Sequence, residues 1–349
     1  MPRNTLLAFA AGLAIAAPAF GQWTDRRDPA VGGSPEIPLT EGRFNAALQY
    51  HAAWMLLEPV LEYNDFTSDE LEALDEGILP AHYAELLETN QDRIEQIIDA
   101  SRLAECDFGL NYEQGIETLI PQLAVMRSSA KLLVNDARRL KDSDLDATAE
   151  RIAATIRIGE HASQTRTVIG SLVGIAITEL ARTETTKLLD ENKLSIGQAK
   201  LIDAALDRVL VEDPFFSLGS VRTEAAMMTR WIKHEFSDEN AGEQFVDVFV
   251  IAGAEGHEDE LEHELKGMDG DALGKMTEKA AVGYEDLIEA WQAEDPRAAM
   301  GRVEQKLIEG GYGPVAQLVM PALGNFRNRL DESEQGLTQL RERLNAVGE

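Results

Sequence analysis

The sequence has little cysteine and few aromatic residues, and each shortage excludes a class of protein. Among its 349 residues there is a single cysteine, Cys106, so no intramolecular disulfide can form. We expect Cys106 to be a small buried hydrophobe rather than a reactive thiol, because no neighbouring His or Lys is placed to activate it. Aromatic residues are only 6% of the chain while hydrophobic residues are 44%, which favours packed helices over a β-sandwich.

Positive charge is also scarce. The chain has 32 basic residues against 62 acidic ones, a net charge of −30 at pH 7. Nucleic acid and anionic membrane surfaces repel a chain this acidic, so we predict that it binds no nucleic acid. Such a chain attracts metal ions or the basic patches of other proteins, although solubility alone also explains the charge.

The familiar catalytic and cofactor-binding motifs are missing. The sequence contains no G-x-S-x-G nucleophile elbow, no phosphate-binding loop and no C-x-x-C pair. The acidic runs at 142–146 and 269–271 begin like calcium loops, but alanine stands at the twelfth position, where a calcium loop needs glutamate. We therefore predict no cofactor, and no catalytic residue can be assigned.

The first 21 residues are predicted to be a signal peptide. Arg3 supplies the positive charge, residues 6–17 form the apolar region, and either 17–19 or 19–21 provides the small-residue cleavage site. An uncleaved anchor is the alternative, but the apolar region is too short to span a bilayer. We predict a periplasmic or secreted protein with no stable membrane insertion after cleavage.

The rest of the chain is predicted to be a flexible linker over 22–41 and a single all-helical domain over 42–349. Apolar residues recur at helical spacing along most of this length, which predicts an all-α fold. Both a multi-helix bundle and an irregular α-solenoid built of helical hairpins fit the pattern. Residues 245–252 are rich in β-branched residues and could form a strand, but helix is favoured because helical patterns flank them.

We expect the stretch 106–133 to organise the domain. A turn at 106–109 leads into a predicted helix that Asn111 caps. Gly109 in that turn is suited to a positive φ. The helix carries the widest apolar stripe in the chain, which contains Ile116, Leu119, Ile120, Leu123, Met126, Ala130 and Leu133.

The same stretch resembles a known family of proteins. The residues that carry the resemblance are a C-D-aromatic-G turn, an E-Q-G step and a Pro-x-Leu-x-x-Met-Arg helix: Cys106, Asp107, Phe108, Gly109, Glu113, Gln114, Gly115, Pro121, Leu123, Met126 and Arg127. They resemble an uncharacterised family of exported all-helical proteins of planctomycete-type bacteria. The resemblance covers about thirty residues and implies a helical fold and export, with no catalytic residues to carry over.

The densest cluster of possible metal ligands lies at 257–263. Its two histidines are six residues apart, so they point about 120° away from one another on a helix and cannot bind one ion together. Glu260, His263 and Glu264 could instead form a weak surface site. The alternative is a solvated acidic helix that binds no metal.

Two functions are compatible with these observations. The first is a non-enzymatic exported protein that binds another protein or serves as a scaffold, which fits the missing motifs and the acidic surface. The alternative is a helical hydrolase or lyase whose carboxylates converge in a groove. Two carboxylates facing one another across an aromatic-lined cleft would favour the enzyme.

Overall fold

The computed structural model describes residues 45–55, 67–251, 263–320 and 323–348. Within these ranges the chain is helical and has no β-strand, and an isolated bridge joins Asn45 to Glu105. The predicted all-α fold is therefore confirmed. The predicted signal peptide (1–21) and linker (22–41) lie outside the described residues.

The helices are numbered in chain order. The first half of the chain contains α1 (Ala46–Trp54), α2 (Ser68–Glu76), α3 (Ala81–Thr89), α4 (Gln91–Ser101), a 3-10 helix (Tyr112–Glu117), α5 (Gln122–Leu140), α6 (Leu145–Ser163) and α7 (Val168–Asp190). The second half contains α8 (Ile196–Leu206), a 3-10 helix (Pro214–Phe216), α9 (Ser217–Glu235), α10 (Ala241–Ile251), α11 (Gly270–Trp291), α12 (Pro296–Ile308), α13 (Gly313–Val319) and α14 (Leu323–Asn345). Among the residues described, no helix combines the length and apolar character needed to cross a bilayer.

Local sequence signals explain where several helices begin. The carboxylate of Asp144 accepts a hydrogen bond from the amide of Ala147 at the start of α6, and Asp295 does the same for Ala298 at the start of α12. Ser195 and Gln198 form a capping box at the start of α8. The ambiguous segment at 245–252 is helical within α10 as far as Ile251, as the flanking pattern favoured, and Ala252 lies outside the described residues.

Two core helices, α6 and α7, approach each other unusually closely at two glycines. A Cβ on Gly159 would lie 2.3 Å from Thr178 Oγ1, and a Cβ on Gly174 would lie 2.5 Å from the carbonyl oxygen of Gly159. Any larger residue at these positions would force the two backbones apart. The two glycines therefore allow α6 and α7 to pack closely.

The α6–α7 hairpin is shared by two hydrophobic clusters. The first cluster is formed mainly by α1, α3, α4 and α5, and it includes Ile158 of α6 and Ile177 of α7. The second cluster is formed mainly by the helices after α7, and it includes Ile156 of α6 and Ala181 of α7. The centre of the described fold is therefore this hairpin rather than the stretch 106–133.

The predicted helix over 111–133 is interrupted. Asn111 caps only the short 3-10 helix, within which Gly115 has φ +56°, and α5 begins at Gln122. Ile116 and Leu119 are exposed, while the part of the predicted stripe that lies within α5 is buried. The helix predicted from the apolar spacing is present only after Pro121. A residue with positive φ, such as Gly115, cannot continue a right-handed helix.

The C-terminal helix α14 returns to the middle of the chain and packs on α7 and α8. Arg341 binds Asp203 at 3.0 Å, and Arg343 binds Asp190 at 2.6 Å. In a solenoid each repeat contacts only its neighbours, so contacts over more than 130 residues favour the bundle alternative.

Candidate functional site

Only part of the predicted metal site at Glu260, His263 and Glu264 falls within the described residues, so this site stays a prediction. Glu260 lies outside the described residues, and His263 and Glu264 are both exposed. No three His, Cys, Asp or Glu side chains within the described ranges are grouped so that they could hold a metal ion. The acidic run at 142–146, which lacks the final glutamate of a calcium loop, has structural partners. Asp142 forms an ion pair with Lys193 at 2.6 Å, and Asp144 caps α6.

Cys106 is buried, as expected. Its amide donates a hydrogen bond to Gln164 Oε1 at 2.7 Å. Burial raises the pKa of the Cys106 thiol, and the nearby carboxylates of Glu160 and Asp107 raise it further. The thiol therefore stays protonated and is a poor nucleophile.

A buried polar cluster surrounds His161 of α6. His161 Nδ1 lies 2.9 Å from Tyr50 Oη, and His161 Nε2 lies 2.9 Å from the carbonyl oxygen of Leu103. His161 Nε2 also lies 2.9 Å from Arg208 Nη2, so the ring either donates to Leu103 through Nε2 or accepts from Arg208 there, depending on its tautomer. Burial is the main cause that lowers the pKa of His161 to about 3, with a contribution from the positive charge of Arg208. His161 is therefore neutral at ordinary pH.

Arg208 connects this cluster to the end of α4. Its guanidinium donates to the carbonyl oxygens of Ser101 and Leu103, both at 2.9 Å, and pairs with Glu160. Burial raises the pKa of Glu160, and Arg208 opposes that rise. These contacts satisfy carbonyl groups at the C-terminus of a helix, so we assign the cluster a structural role.

A second buried polar cluster joins α4, α5 and α6. Asp136 is fully buried, and its carboxylate accepts a hydrogen bond from Arg151 Nε at 2.8 Å and from Gln91 Nε2 at 3.1 Å. Arg151 also binds Glu95 at 2.7 Å. Every charge in this cluster has a partner inside the fold, so the cluster offers nothing to a ligand.

A cleft of about 290 Å³ lies between α11 and α12. The volume is close to the lower limit for pockets that bind small molecules or peptide side chains. Each helix contributes residues spaced as on one helical face, with Ala293 just after the end of α11, and Tyr312 completes the lining. The lining residues are Asp286, Glu289, Ala290, Ala293, Ala299, Arg302, Val303, Lys306 and Tyr312.

The cleft has an apolar floor and two rims of opposite charge. The floor consists of small apolar side chains that are largely buried, such as Ala290, Ala299 and Val303. The α11 rim carries only acidic groups, and the α12 rim carries only basic ones. A ligand in this cleft would therefore meet negative charge on one side and positive charge on the other.

One end of the cleft is closed by internal bonds. Asp286 Oδ2 accepts a hydrogen bond from Tyr312 Oη at 2.6 Å and one from Lys306 Nζ at 2.9 Å. These two bonds lower the pKa of Asp286, the bond from Tyr312 contributing most. Lys306 Nζ also lies 4.3 Å from the centre of the Tyr312 ring. Asp286 is thus held as a carboxylate whose charge is already paired.

The other end of the cleft is open to a ligand. Glu289 and Arg302 stand on opposite rims, and both are exposed. Neither side chain forms a hydrogen bond or an ion pair with the part of the chain that the structure describes. Charged groups without an internal partner beside an apolar floor are available for recognition.

Sequence reasoning missed this cleft. The turn at 310–314 buries Tyr312 beside Asp286. The available signal was the segregation of charge, with acids at 286 and 289 and bases at 302 and 306, each pair on one helical face. That signal does not tell which faces lie opposite one another.

Comparison of the chain with protein-family models, with curated proteins and with solved structures gave no match in any of the three. The resemblance of the stretch 106–133 to a family of exported helical proteins therefore stays a prediction. Any function has to be argued from the geometry of the cleft and of the surrounding fold.

Proposed function

We propose that this chain is an exported, non-enzymatic binding protein that holds a segment of a partner protein in the cleft between α11 and α12. The observation that carries the proposal is the pair Glu289 and Arg302. These two opposite charges flank an apolar floor and are not used inside the described fold. Burial of an apolar side chain on the floor would provide binding free energy, and the two rims would select the partner.

The geometry favours binding over the alternative hydrolase. Carboxylates that act on a glycosidic bond flank it from two sides, whereas Asp286 and Glu289 lie one turn apart on the same helix. Asp286 is also held as an anion by Lys306 and Tyr312, so it is not a proton donor. His161 is fully buried and does not line the cleft.

A display library of random peptides, selected on the immobilised purified protein, tests the proposal even though the partner is unidentified. We expect the parent protein to enrich a family of related peptides. The Ala293→Trp variant, which fills the cleft with an indole ring, should lose that enrichment. The Ala298→Trp variant is the matched control, since Ala298 is exposed on α12 and does not line the cleft.

Loss of enrichment in Ala293→Trp with retention in Ala298→Trp would support the proposal. Equal enrichment by the parent and by both variants would place the binding surface elsewhere and contradict it. Hydrolysis of a displayed or added substrate that depends on Glu289 would instead favour the enzyme alternative.

A further inference from the structure

We infer that the occupant of this cleft is an amphipathic α-helix of another protein, with one basic flank and one acidic flank. The inference rests on the proposed function and adds the chemistry of the partner. It depends on three features of the cleft: the spacing of its walls, the lack of main-chain partners for an extended peptide, and the separation of charge between its rims.

The walls of the cleft have the length and spacing of a helix-binding seam. The α11 side presents positions 286, 289, 290 and 293, and the α12 side presents 299, 302, 303 and 306. Each set follows the i, i+3, i+4, i+7 pattern and extends over about 10 Å, or two helical turns. A third helix lying along this seam would place its own i, i+3, i+4 and i+7 side chains against both walls.

An extended peptide would find few partners for its backbone here. Peptides bound in an extended form usually pair with the edge of a sheet, and the described ranges contain no strand. The cleft walls are side chains of two helices, whose own main-chain groups are bonded within each helix. A helical partner satisfies its backbone internally and needs only side-chain contacts, so the cleft favours a helix.

The charges on the rims define the flanks of the partner helix. A Lys or Arg on one flank would pair with Glu289, and an Asp or Glu on the other flank would pair with Arg302. A large apolar side chain between them would occupy the space above Ala299. Because the whole chain has a net charge of −30, a partner with excess positive charge would associate faster and with a stronger dependence on salt.

The test uses four fluorescent 18-residue peptides with the same apolar face. One has a Lys flank and a Glu flank, the second has Lys on both flanks, and the third has Glu on both. These three carry a covalent staple, because short isolated helices are marginal in water. The fourth repeats the mixed sequence without the staple and with two internal prolines, which prevent a helix. Binding to the purified protein is measured by fluorescence anisotropy at 0.15 M NaCl.

We expect the mixed peptide to bind more tightly than the proline-containing peptide. In Arg302→Glu, the preference for the double-Lys peptide over the mixed peptide should rise by about three- to tenfold, the usual range for exposed or partly buried pairs. In Glu289→Lys, the preference for the double-Glu peptide over the mixed peptide should rise by a similar factor.

Arg297→Glu is the matched control, because it makes the same charge change as Arg302→Glu on an exposed part of α12 outside the cleft. Arg302 is exposed, so its variant is expected to fold normally.

The outcomes separate this inference from the proposed function. Equal binding of the helical and the proline-containing peptides would overturn the inference that the occupant is a helix. The proposed binding function would still stand if the peptides from the display library bind the parent protein and not Ala293→Trp. Displacement of the peptide by millimolar free leucine or glutamate overturns the inference in favour of a small-molecule site. Preferences that do not change in Arg302→Glu or Glu289→Lys also overturn it. If peptides also bind Ala293→Trp as well as the parent, the inference and the proposed function both fail.

Discussion

Gly115 is a residue where a single added methyl group should have a large effect on stability. It has φ +56°, and a Cβ there would lie 2.2 Å from Trp231 Cγ. We predict that Gly115→Ala lowers the free energy of unfolding by about 2–4 kcal/mol, through both backbone strain and overpacking. Thermal or urea unfolding of the purified variant measures the change.

Gly109 provides the control for this prediction. It also has a positive φ, +65°, as the sequence suggested, but a Cβ there would have no neighbour within 4 Å. Gly109→Ala should therefore show the backbone strain alone, about 1 kcal/mol. Equal destabilisation by the two substitutions would show that the contact between Gly115 and Trp231 is unimportant.

His161 should make the stability of the protein depend on pH. The unfolded chain binds a proton on this histidine as the pH falls through about 6.5, whereas the folded protein does so only near its lowered pKa of about 3. The unfolded state therefore binds more protons in this window, and stability is lost as the pH falls. For this group alone the expected loss between pH 6 and pH 5 is about 1 kcal/mol.

His161→Gln removes the titration but keeps a hydrogen-bond donor and an acceptor for Leu103 and Tyr50. We expect the variant to be less stable than the parent at pH 7 but to lose about 1 kcal/mol less between pH 6 and pH 5. Urea unfolding at several pH values measures the slope of the free energy of unfolding against pH for both proteins. Parallel slopes for the two proteins would mean that His161 takes up a proton in the folded state.

Among the elements, α4, α5 and α6 are held together by a buried polar network centred on the ion pair of Asp136 and Arg151. Asp136 is fully buried and binds both Arg151 and Arg139, so removing its charge leaves Arg139 without its closest partner and Arg151 with Glu95 alone. We predict that Asp136→Asn lowers the free energy of unfolding by about 3–5 kcal/mol. By contrast Arg343→Ala, at an exposed pair with Asp190, should cost less than about 1 kcal/mol.

The double variant Asp136→Leu with Arg151→Met distinguishes two reasons for such a loss. Replacing both buried charges with apolar side chains leaves only the partly exposed Arg139 and Glu95 without these partners, so the double variant should recover most of the stability lost in Asp136→Asn. Failure to recover would indicate that the hydrogen bonds to Gln91 and Glu95, rather than the charge pair, hold these helices together.

For the whole molecule, the net charge of −30 should oppose folding through repulsion between like charges. Added NaCl screens this repulsion. We predict that the melting temperature rises between 10 mM and 500 mM NaCl, by roughly 2–4 °C for each kcal/mol gained. A melting temperature that falls over this range would show that surface ion pairs outweigh the general repulsion.

The predicted export is a second property of the whole molecule, and it depends on residues outside the described structure. The small-residue sites at 17–19 and 19–21 predict a mature chain that begins at Phe20 or Gln22. N-terminal sequencing of protein recovered from outside the cytoplasm measures this directly. Recovery of a chain that begins at Met1 would contradict both cleavage and the predicted location.

The sequence by itself determined the all-α class and many of the helix starts. Caps such as Asp144 and Asp295 act through hydrogen bonds to amides three residues away, so they can be read from neighbouring residues. Apolar spacing of 3–4 residues likewise reports a buried helix face, whichever helix packs against it. The same reasoning failed at 111–121, because the positive φ of Gly115 belongs to a turn that packs on Trp231.

Only the tertiary structure decided which faces meet. Tyr50 and His161 are 111 residues apart, and no local pattern in the sequence relates them. The acids of α11 and the bases of α12 were visible as two separate charged faces, but the cleft exists because the two helices pack with those faces beside a common floor. Hydrogen bonds and periodicity within a helix are local, whereas cleft formation depends on the long-range packing of particular side chains, which a single sequence does not specify by spacing alone.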